Sequence, residues 1–296
     1  GGYIVAGASG SGLSGNKSET VYGYQGYWII KLTSTGVVQW QNTIGGNGGD
    51  AARPIQQLPD GGYIVGGFSY SSVSYDQTNA TCGVSDYWVL KLDSLGNIVW
   101  QNTLGGTSYD WNEALEQTLD GGYILGGWSQ SGISCDKTLA SKGGADYWLV
   151  KINSSGSIVW QKEIGGSADE TGALLAQSSD GKYFLGCYST SGISGDKTEA
   201  SYGANDYWVV KTDESGNILW QKDLGGSSDD YLQEVIVGYD GSCIIGGYSA
   251  SGISGNKTEA SFGGNDYWIV KLEPECLTDK IVYADADADG YGDLVG

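Results

Sequence analysis

The sequence contains no histidine, no methionine and a single arginine, Arg53. Without histidine, a Ser-His-Asp triad, a Cys-His pair and a histidine-ligated zinc ion are all excluded. The 15 basic residues stand against 35 acidic ones, and the resulting net charge of −20 argues against binding to nucleic acid or to an anionic membrane surface. No apolar run approaches the roughly 18 residues that would suggest a transmembrane helix.

Cysteine is scarce, and none of the five cysteines has CxxC spacing. A structural metal site built from them is therefore not expected. Cys187 and Cys243 replace strand residues of the other copies and are expected to be buried thiols. Cys82 and Cys135 fall in equivalent long loops, where a disulfide is one alternative that the sequence does not decide.

The chain repeats itself at a shift of 60 residues. "DYW" occurs at 86–88, 146–148, 206–208 and 266–268, with "GYW" at 26–28. Self-similarity at a fixed period indicates stacked supersecondary units. We expect the repeated tryptophans to be largely buried between repeats; they are Trp28, Trp88, Trp148, Trp208 and Trp268, with Trp40, Trp100, Trp160 and Trp220. The chain opens inside a motif with "GGYIVAG", and its first copy lacks the opening strand, so we expect a further part upstream. The alternative is that five blades close with strands contributed by the two ends.

Each copy contains four short segments rich in Ile, Val, Tyr and Trp. In the third copy they are "NEALEQT", "GYILGGW", "DYWLVKI" and "SIVWQKEI", separated by Gly, Asp, Asn and Ser. This pattern predicts an all-β fold, a β-propeller of four-stranded antiparallel blades with at least five repeats. A β-solenoid fits less well because its rungs are usually shorter. We assign residues 1–272 to the propeller and 273–296 to a linker.

The motif "DGGYIVGGFS…DYWVLKLDSLGNIVWQNTLGG" resembles the propeller-like repeats of secreted Bacteroidota proteins exported by the type IX system. Its apolar residues, double glycine and two spaced aromatics are also similar to a kelch-type blade. The resemblance covers about residues 1–272. It implies the architecture and export to the outside of the cell, and it carries no catalytic residues.

Strand alternation places the long loops on one face of the blades. The loop between the second and third segments, such as "SGISGDKTEASYGAN", and the connection between copies, such as "GGSSDD", share that face, which we call the long-loop face. Binding residues usually lie on such loops. The recurring acids there, among them Asp110, Asp146, Asp196 and Asp206, are interpreted as caps of loop backbone, with cation or sugar coordination as the alternative.

Five lysines recur once per copy, at Lys31, Lys91, Lys151, Lys211 and Lys271. We expect them to lie along aromatic side chains and to pair with carboxylates. A catalytic lysine would not need five copies.

Two tryptophans, Trp111 and Trp128, depart from the repeat. If Asp120-Gly121 is a two-residue turn, Glu113 faces Trp128 and Trp111 is its diagonal neighbour, within reach of an aromatic contact. The pair lies beside the long loops. The hypothesis is a ligand-contacting patch for sugar rings; the alternative is that these aromatics pack under their loops.

The residues next to this pair, Tyr109 and Asp110, are included in the predicted site. Tyr231 and Tyr248 occupy the matching positions of the last copy and predict a weaker second site. The corresponding pairs of the second and fourth copies, Ala51 with Phe68 and Thr171 with Tyr188, are expected to be poor or empty sites.

After the repeat ends, the segment "YADADADGYGD" follows "EPEC". Asp285, Asp287, Asp289 and Asp293, with the Tyr291 carbonyl, match positions of a DxDxDG calcium loop. The motif resembles thrombospondin type 3 repeats, although Gly296 stands where a final carboxylate is expected. A calcium-binding linker is predicted, with a solvated acidic linker as the alternative.

Taken together, the sequence predicts a non-enzymatic, extracellular or cell-surface module for binding or adhesion, with glycan or a surface protein as partner and calcium as cofactor. A glycan-processing enzyme subunit and a purely structural spacer are the alternatives. A catalytic carboxylate pair should break the repeat, and the conspicuous acids follow it.

Overall fold

The structure is a computed structural model that describes residues 1–273 and the backbone of 281–283. In this part of the chain all regular structure is β-strand, arranged as five antiparallel sheets. It contains no helix that could cross a membrane. The first sheet has three strands and the other four have four each.

The strands follow the chain in order within every sheet. The first sheet contains β1 (Tyr3–Ser9), β2 (Gly26–Leu32) and β3 (Val38–Ile44). The second contains β4 (Asp50–Gln57), β5 (Tyr63–Ser69), β6 (Asp86–Leu92) and β7 (Ile98–Leu104). The third contains β8 (Asp110–Gln117), β9 (Tyr123–Ser129), β10 (Asp146–Ile152) and β11 (Ile158–Ile164). The fourth contains β12 (Glu170–Gln177), β13 (Tyr183–Ser189), β14 (Asp206–Thr212) and β15 (Ile218–Leu224), and the fifth β16 (Asp230–Val237), β17 (Cys243–Ser249), β18 (Asp266–Leu272) and β19 (Ile281–Tyr283).

Each four-stranded sheet is a blade of the β-propeller type, so the predicted fold class is confirmed. The short strand β19, which the sequence analysis placed in the linker, pairs with β18 as the fourth strand of the last sheet. The chain divides into two compact units: the first comprises residues 1–141 and 148–162, and the second residues 142–147 and those from 163 onward.

Neighbouring sheets in the first unit are joined by a repeated aromatic contact. The Tyr27 hydroxyl donates to the Trp88 carbonyl at 2.9 Å, with the two rings 4.9 Å apart. Tyr87 makes the same bond to the Trp148 carbonyl at 3.0 Å, with the rings 4.8 Å apart. In the second unit, Tyr207 bonds the Trp268 carbonyl at 3.3 Å.

The predicted burial of the tryptophans is confirmed for one set and wrong for the other. Trp88, Trp148, Trp208 and Trp268 are buried, whereas Trp28, in the three-stranded sheet, is half-buried. The tryptophans of the last strand in each of the first four blades, Trp40, Trp100, Trp160 and Trp220, are all only half-buried. The reason is their position on an edge strand: Trp40, for example, packs on the apolar core and meets Tyr63 edge-on at 5.8 Å, but part of its ring stays accessible.

The recurring lysines behave largely as expected. Lys91 pairs with Asp60 at 2.9 Å and Lys151 with Asp120 at 3.0 Å, and the same pair recurs between Lys271 and Asp240. Lys211 instead lies over the ring of Phe184. The ion pairs hold the end of the first hairpin in the second, third and fifth sheets, away from the long loops.

Candidate binding surface at the long loops

The long loops are anchored to the blades by a buried lysine. In the loop after β9, Ser134 and Lys137 pair as a miniature hairpin, and the Lys137 ammonium donates to Ser129 Oγ at 2.7 Å while lying 5.6 Å from the Trp148 ring. In the second unit Lys197 is fully buried, ion-paired with Asp223 and placed over Trp208. Each of these two lysines therefore ties its loop to the blade beneath it.

The recurring acids of this face hold loop backbone, as predicted. Asp110 is buried and accepts hydrogen bonds from the Gly106 amide and from Ser131 Oγ, both at 2.8 Å. Asp206 and Asp146 likewise accept from loop amides. Asp110 was included in the predicted ligand site, but its burial leaves it no surface on which to meet a ligand.

These acids approach one another in pairs. Asp86 and Asp110 both border Gly105, which has no side chain: a Cβ atom placed there would lie closest to Asp86 Oδ1 and 2.9 Å from Asp110 Oδ2. Asp146 and Glu170 border Gly165 in the same way. Oδ1 of Asp86 and Oδ1 of Asp110 are buried and make no hydrogen bond. Burial, with a smaller contribution from Asp110, raises the pKa of Asp86 to about 7.

In two other pairs of neighbouring acids, burial and the nearby carboxyl group likewise raise a pKa. Burial raises the pKa of Asp206 to about 6, with Asp230 adding to the rise. Burial also raises the pKa of Glu170, and its contact with Asp146 contributes. In each pair, burial and the neighbouring negative charge favour the protonated form of one carboxyl group.

The predicted calcium ligands, Asp285, Asp287, Asp289, Tyr291 and Asp293, lie outside the described residues. Within the described ranges, no group of three or more Asp, Glu or Cys side chains is arranged to hold a metal ion. The calcium motif therefore stays a prediction of the sequence.

Trp111 and Trp128 do come together, but in a different register from the one predicted. Trp111 is directly opposite Trp128, with ring centroids 4.8 Å apart and planes inclined by 40°. Two features shift the pairing. The turn is longer than two residues because Gly121 adopts a left-handed conformation (φ 80°), and a β-bulge falls at Glu113.

The two tryptophans belong to a larger group, which we call the first aromatic cluster: Phe68, Tyr70, Tyr109, Trp111 and Trp128. Phe68 stacks on Trp111 at 4.1 Å with the planes only 10° apart. Tyr70 meets Trp111 edge-on at 6.5 Å and Tyr109 at 6.4 Å. The cluster thus joins the second and third sheets within the first unit.

Trp111 makes most of the aromatic contacts within this cluster. Phe68 stacks on its indole, Trp128 meets it with the planes inclined by 40°, and its Nε1 donates to Ser85 Oγ at 2.9 Å. Tyr70 and Tyr109 are the most exposed members, at 37% and 38%, while Trp111 and Trp128 are both half-buried.

Sequence reasoning missed two members of the cluster, the buried Phe68 and the partly exposed Tyr70, and the neighbouring Arg53. Phe68, expected to form an empty site with Ala51, stacks on the neighbouring blade. Tyr70 stands where the later copies have Gln, Thr and Ala, and this departure from the repeat was a visible signal. Arg53, the single arginine, is exposed at a bulge of β4 with its guanidinium carbon 5.6 Å from the centre of the Phe68 ring.

A disulfide lies at the same junction. Cys82 and Cys135 are bonded, which decides the alternative that the sequence left open. Cys135 has a positive φ of 52°, at a position where Gly15, Gly195 and Gly255 stand in other copies. A non-glycine residue is strained in this conformation. The backbone of Cys135 is therefore strained, and the disulfide is the reason for a cysteine at this position.

The preceding junction has a different link at the same repeat positions. Tyr22 stacks on Tyr75 with ring centroids 4.3 Å apart, and Tyr75 likewise has a positive φ of 50°. In the second unit, Lys142 forms an ion pair with Asp196 at the corresponding place. Every one of these contacts ties a long loop to its neighbour.

The second aromatic cluster, in the second unit, consists of Tyr188, Tyr231 and Tyr248. Tyr231 lies directly opposite Tyr248, with ring centroids 5.1 Å apart, and meets Tyr188 at 4.9 Å. Asn205 Nδ2 donates to the Tyr231 hydroxyl at 3.1 Å. Burial, and secondarily Asp229, raises the pKa of Tyr231. All three tyrosines are half-buried, so this cluster presents less open surface than the first.

Comparisons with known proteins give a fold but no family. No protein-family model matches the sequence. The regulatory protein FlaEY of Caulobacter vibrioides is 25% identical over 166 residues, which are 52% of this chain and only 17% of that protein. The aligned region is therefore a small part of that protein, whose regulatory role does not carry over to this chain.

Solved structures share the architecture at low identity. A protein of unknown function from Dyadobacter fermentans has a TM-score of 0.51 at 11% identity, covering 93% of this chain and 75% of that one. A thermostable family-43 glycoside hydrolase has a TM-score of 0.43 at 10% identity, covering 98% and 97%. The first likeness concerns the fold alone, and the second is too distant to support an inference. The chain is an all-β protein of propeller-type blades.

Proposed function

We propose that this chain is a non-catalytic binding module, secreted or displayed on the cell surface, which recognises glycan through the exposed part of the first aromatic cluster. One observation carries the proposal. Several residues that depart from the 60-residue repeat lie together at one junction: Arg53, Tyr70, Tyr109, Trp111 and Trp128, with the Cys82–Cys135 disulfide beside them. Such a concentration of departures at one place is expected where a repeat surface has acquired a binding role.

The chemistry of this surface suits a sugar. Tyr70 and Tyr109 combine an apolar ring with a hydroxyl that both donates and accepts hydrogen bonds. Such side chains dominate binding surfaces because they offer large contact area with few rotatable bonds. The stack of Phe68, Trp111 and Trp128 beneath them holds the exposed rings in place.

Binding is favoured over glycosidase activity by the positions of the acids. A hydrolytic pair of carboxyl groups would need to face the substrate. At this junction Asp86 and Asp110 are buried and hold loop backbone, so neither reaches the surface of the cluster.

An extracellular location is supported by the disulfide, because such bonds persist in oxidising compartments. Export by a type IX system and calcium binding in the tail belong to the same proposal. They rest on the sequence resemblances described above.

A glycan-array screen tests the proposal. The wild-type chain is expected to bind a defined subset of glycans, and Tyr70→Ala combined with Tyr109→Ala is expected to lose that binding. Both side chains are partly exposed and lie at the edge of the cluster, so the double variant is expected to keep its fold, and a thermal melt checks this. Tyr239→Ala is the matched control, since Tyr239 is fully exposed in the turn between β16 and β17. An array without bound glycans, or equal binding by the double variant, would overturn the proposal.

A protein partner is the second candidate, and a separate observation favours it. The tip of each long loop exposes one aliphatic side chain, between 61% and 70% exposed. These residues are Leu13, Val73, Ile133, Ile193 and Ile253. Because the loops are anchored, the apolar tips are held at the surface. Replacing Leu13, Val73 and Ile133 together with serine should then abolish protein binding while leaving glycan binding intact.

A further inference from the structure

An exposed pair of tyrosines lies in the same loop system as the first aromatic cluster. Tyr75, in the loop after β5, stacks on Tyr22 with ring centroids 4.3 Å apart and planes inclined by only 12°. Tyr75 is 66% exposed and Tyr22 is 42% exposed, and both belong to the first unit. We call these two residues the tyrosine pair. It presents open aromatic surface even though each ring covers one face of the other.

The backbone at Tyr75 is strained. Ser74 and Gln77 close a two-residue turn with hydrogen bonds of 3.0 and 2.9 Å, and Tyr75 is the first central residue of that turn, with a φ of 50°. Glycine takes a positive φ without steric cost. Three other copies have glycine at this position: Gly15, Gly195 and Gly255. A bulky residue held in this conformation points to a functional role for its side chain.

The junction between two long loops does not need this side chain. In the second unit Tyr202, at the repeat position of Tyr22, lies directly over Gly255, because a Cβ atom on that glycine would be 2.9 Å from Tyr202 Cγ. Tyr202 is 50% exposed there, so the openness of this position does not depend on the three-stranded first sheet. The other non-glycine residue, Cys135, is explained by its disulfide. The ring of Tyr75 is therefore additional to what the junction requires.

The tyrosine pair continues the exposed surface of the first aromatic cluster. Tyr75 follows Tyr70 by five residues in the same loop, so their Cα atoms are at most about 18 Å apart. The neighbouring loop approaches as well: the Tyr24 amide donates to the Gly48 carbonyl at 2.9 Å, and a Cβ atom on Gly48 would lie 2.7 Å from the Tyr70 carbonyl oxygen. Tyr24 itself is 87% exposed. Exposed tyrosines of two adjacent loops thus lie next to the cluster.

We propose that the tyrosine pair is a second subsite for the same ligand, so that this surface binds a neutral, linear polysaccharide chain and not a single terminal sugar. The inference rests on the glycan binding proposed above. One sugar ring stacks at the first aromatic cluster, and a later ring of the same chain stacks on Tyr75. A second contact within one ligand adds affinity without a second loss of translational freedom. The net charge of −20 disfavours an anionic chain.

Calorimetric titration with oligosaccharides of two lengths tests the inference. The probes are the disaccharides and hexasaccharides of cellulose, xylan, mannan and chitin, with the hexasaccharide of polygalacturonate as the anionic comparison. The wild type should bind the hexasaccharide of one neutral series at least about tenfold more tightly than its disaccharide, the usual effect of one further aromatic contact. Tyr75→Gly should reduce the affinity for that hexasaccharide to the affinity for the disaccharide, and disaccharide binding should not change.

Tyr75→Gly installs the residue that three other copies have, and it removes the strain of the positive φ, so the variant is expected to keep its fold. If it does not fold, Tyr22→Ala decides, because it removes the pair from the other loop at a residue without a positive φ. Tyr75→Phe keeps the ring and should retain the preference for the hexasaccharide. Tyr202→Ala is the matched control and should bind like the wild type.

The outcomes separate this inference from the proposal on which it rests. Equal affinity for hexasaccharide and disaccharide, or a preference that Tyr75→Gly retains, would overturn the second subsite and leave glycan binding in place. Tighter binding of the polygalacturonate hexasaccharide than of every neutral one would overturn the assignment to a neutral chain. A wild type that binds none of the probes would overturn glycan recognition and the second subsite together.

Discussion

Replacing Asp86 with asparagine should remove a pH dependence that the wild-type fold carries. Asp86 Oδ2 accepts the Cys82 amide at 2.6 Å, while its Oδ1 makes no hydrogen bond and lies in the buried pair with Asp110. The asparagine keeps an oxygen for the Cys82 amide and places a neutral amide group where the wild type has an ionisable oxygen. The fold no longer has to hold a proton at this position.

The magnitude follows from the pKa of Asp86, which rises from 3.8 to about 7, mainly because of burial. A carboxyl whose pKa is raised by folding stabilises the native state below its unfolded pKa. That stabilisation is lost as the pH rises through the folded pKa. The difference between the two values corresponds to about 4 kcal/mol. For a domain of this size it is on the order of 10 °C in Tm.

Thermal unfolding of the wild type and Asp86→Asn between about pH 4 and about pH 9 is the assay. The wild type should lose more stability over this range than the variant. Asp93→Asn is the control, because Asp93 lies in a turn where its hydrogen bond with Asn97 lowers its pKa, so this carboxylate stays ionised over the whole range. Equal pH dependence in the wild type and Asp86→Asn would refute the assignment of a raised pKa to Asp86.

Three further outcomes are expected. Trp88→Ala should cost about 3–5 kcal/mol in the free energy of unfolding, because the side chain is fully buried, and Trp100→Ala should cost less, as denaturant titrations would show. Reducing the Cys82–Cys135 disulfide, which joins residues 53 apart, should destabilise the fold by about 4 kcal/mol, seen as a lower Tm with reductant; an unchanged Tm would contradict a structural bond. Calorimetry should show calcium binding that Asp287→Ala abolishes, and equal heats would rule out the predicted motif.

The sequence predicted the blades because the repeat fixes them. Gly, Asp and Asn at constant positions bound strands rich in Tyr, Trp and Val, and antiparallel pairing then decides which loops share a face. The capping role of Asp110 and its equivalents was also predictable, because short polar side chains next to loop amides bond to them wherever they recur.

The contacts of Trp111 were not predictable in the same way. A bulge at Glu113 and a left-handed glycine at 121 each shift the register by one residue, and neither has a distinctive signal in the sequence. The stacking of Phe68 on Trp111 depends on how adjacent sheets pack, which the period does not specify. Tyr70 could have been found, since it departs from the repeat as clearly as Trp111 does.

Footprinting of exposed tyrosines tests the central claim, that the first aromatic cluster contacts ligand. Tetranitromethane should nitrate Tyr70, Tyr109 and Tyr239 in the free protein, with mass spectrometry locating the modified residues. Adding the strongest glycan from the array should protect Tyr70 and Tyr109 and leave Tyr239 as reactive as before. Unchanged nitration of Tyr70 and Tyr109 in the saturated complex, or protection at other tyrosines alone, would contradict the account.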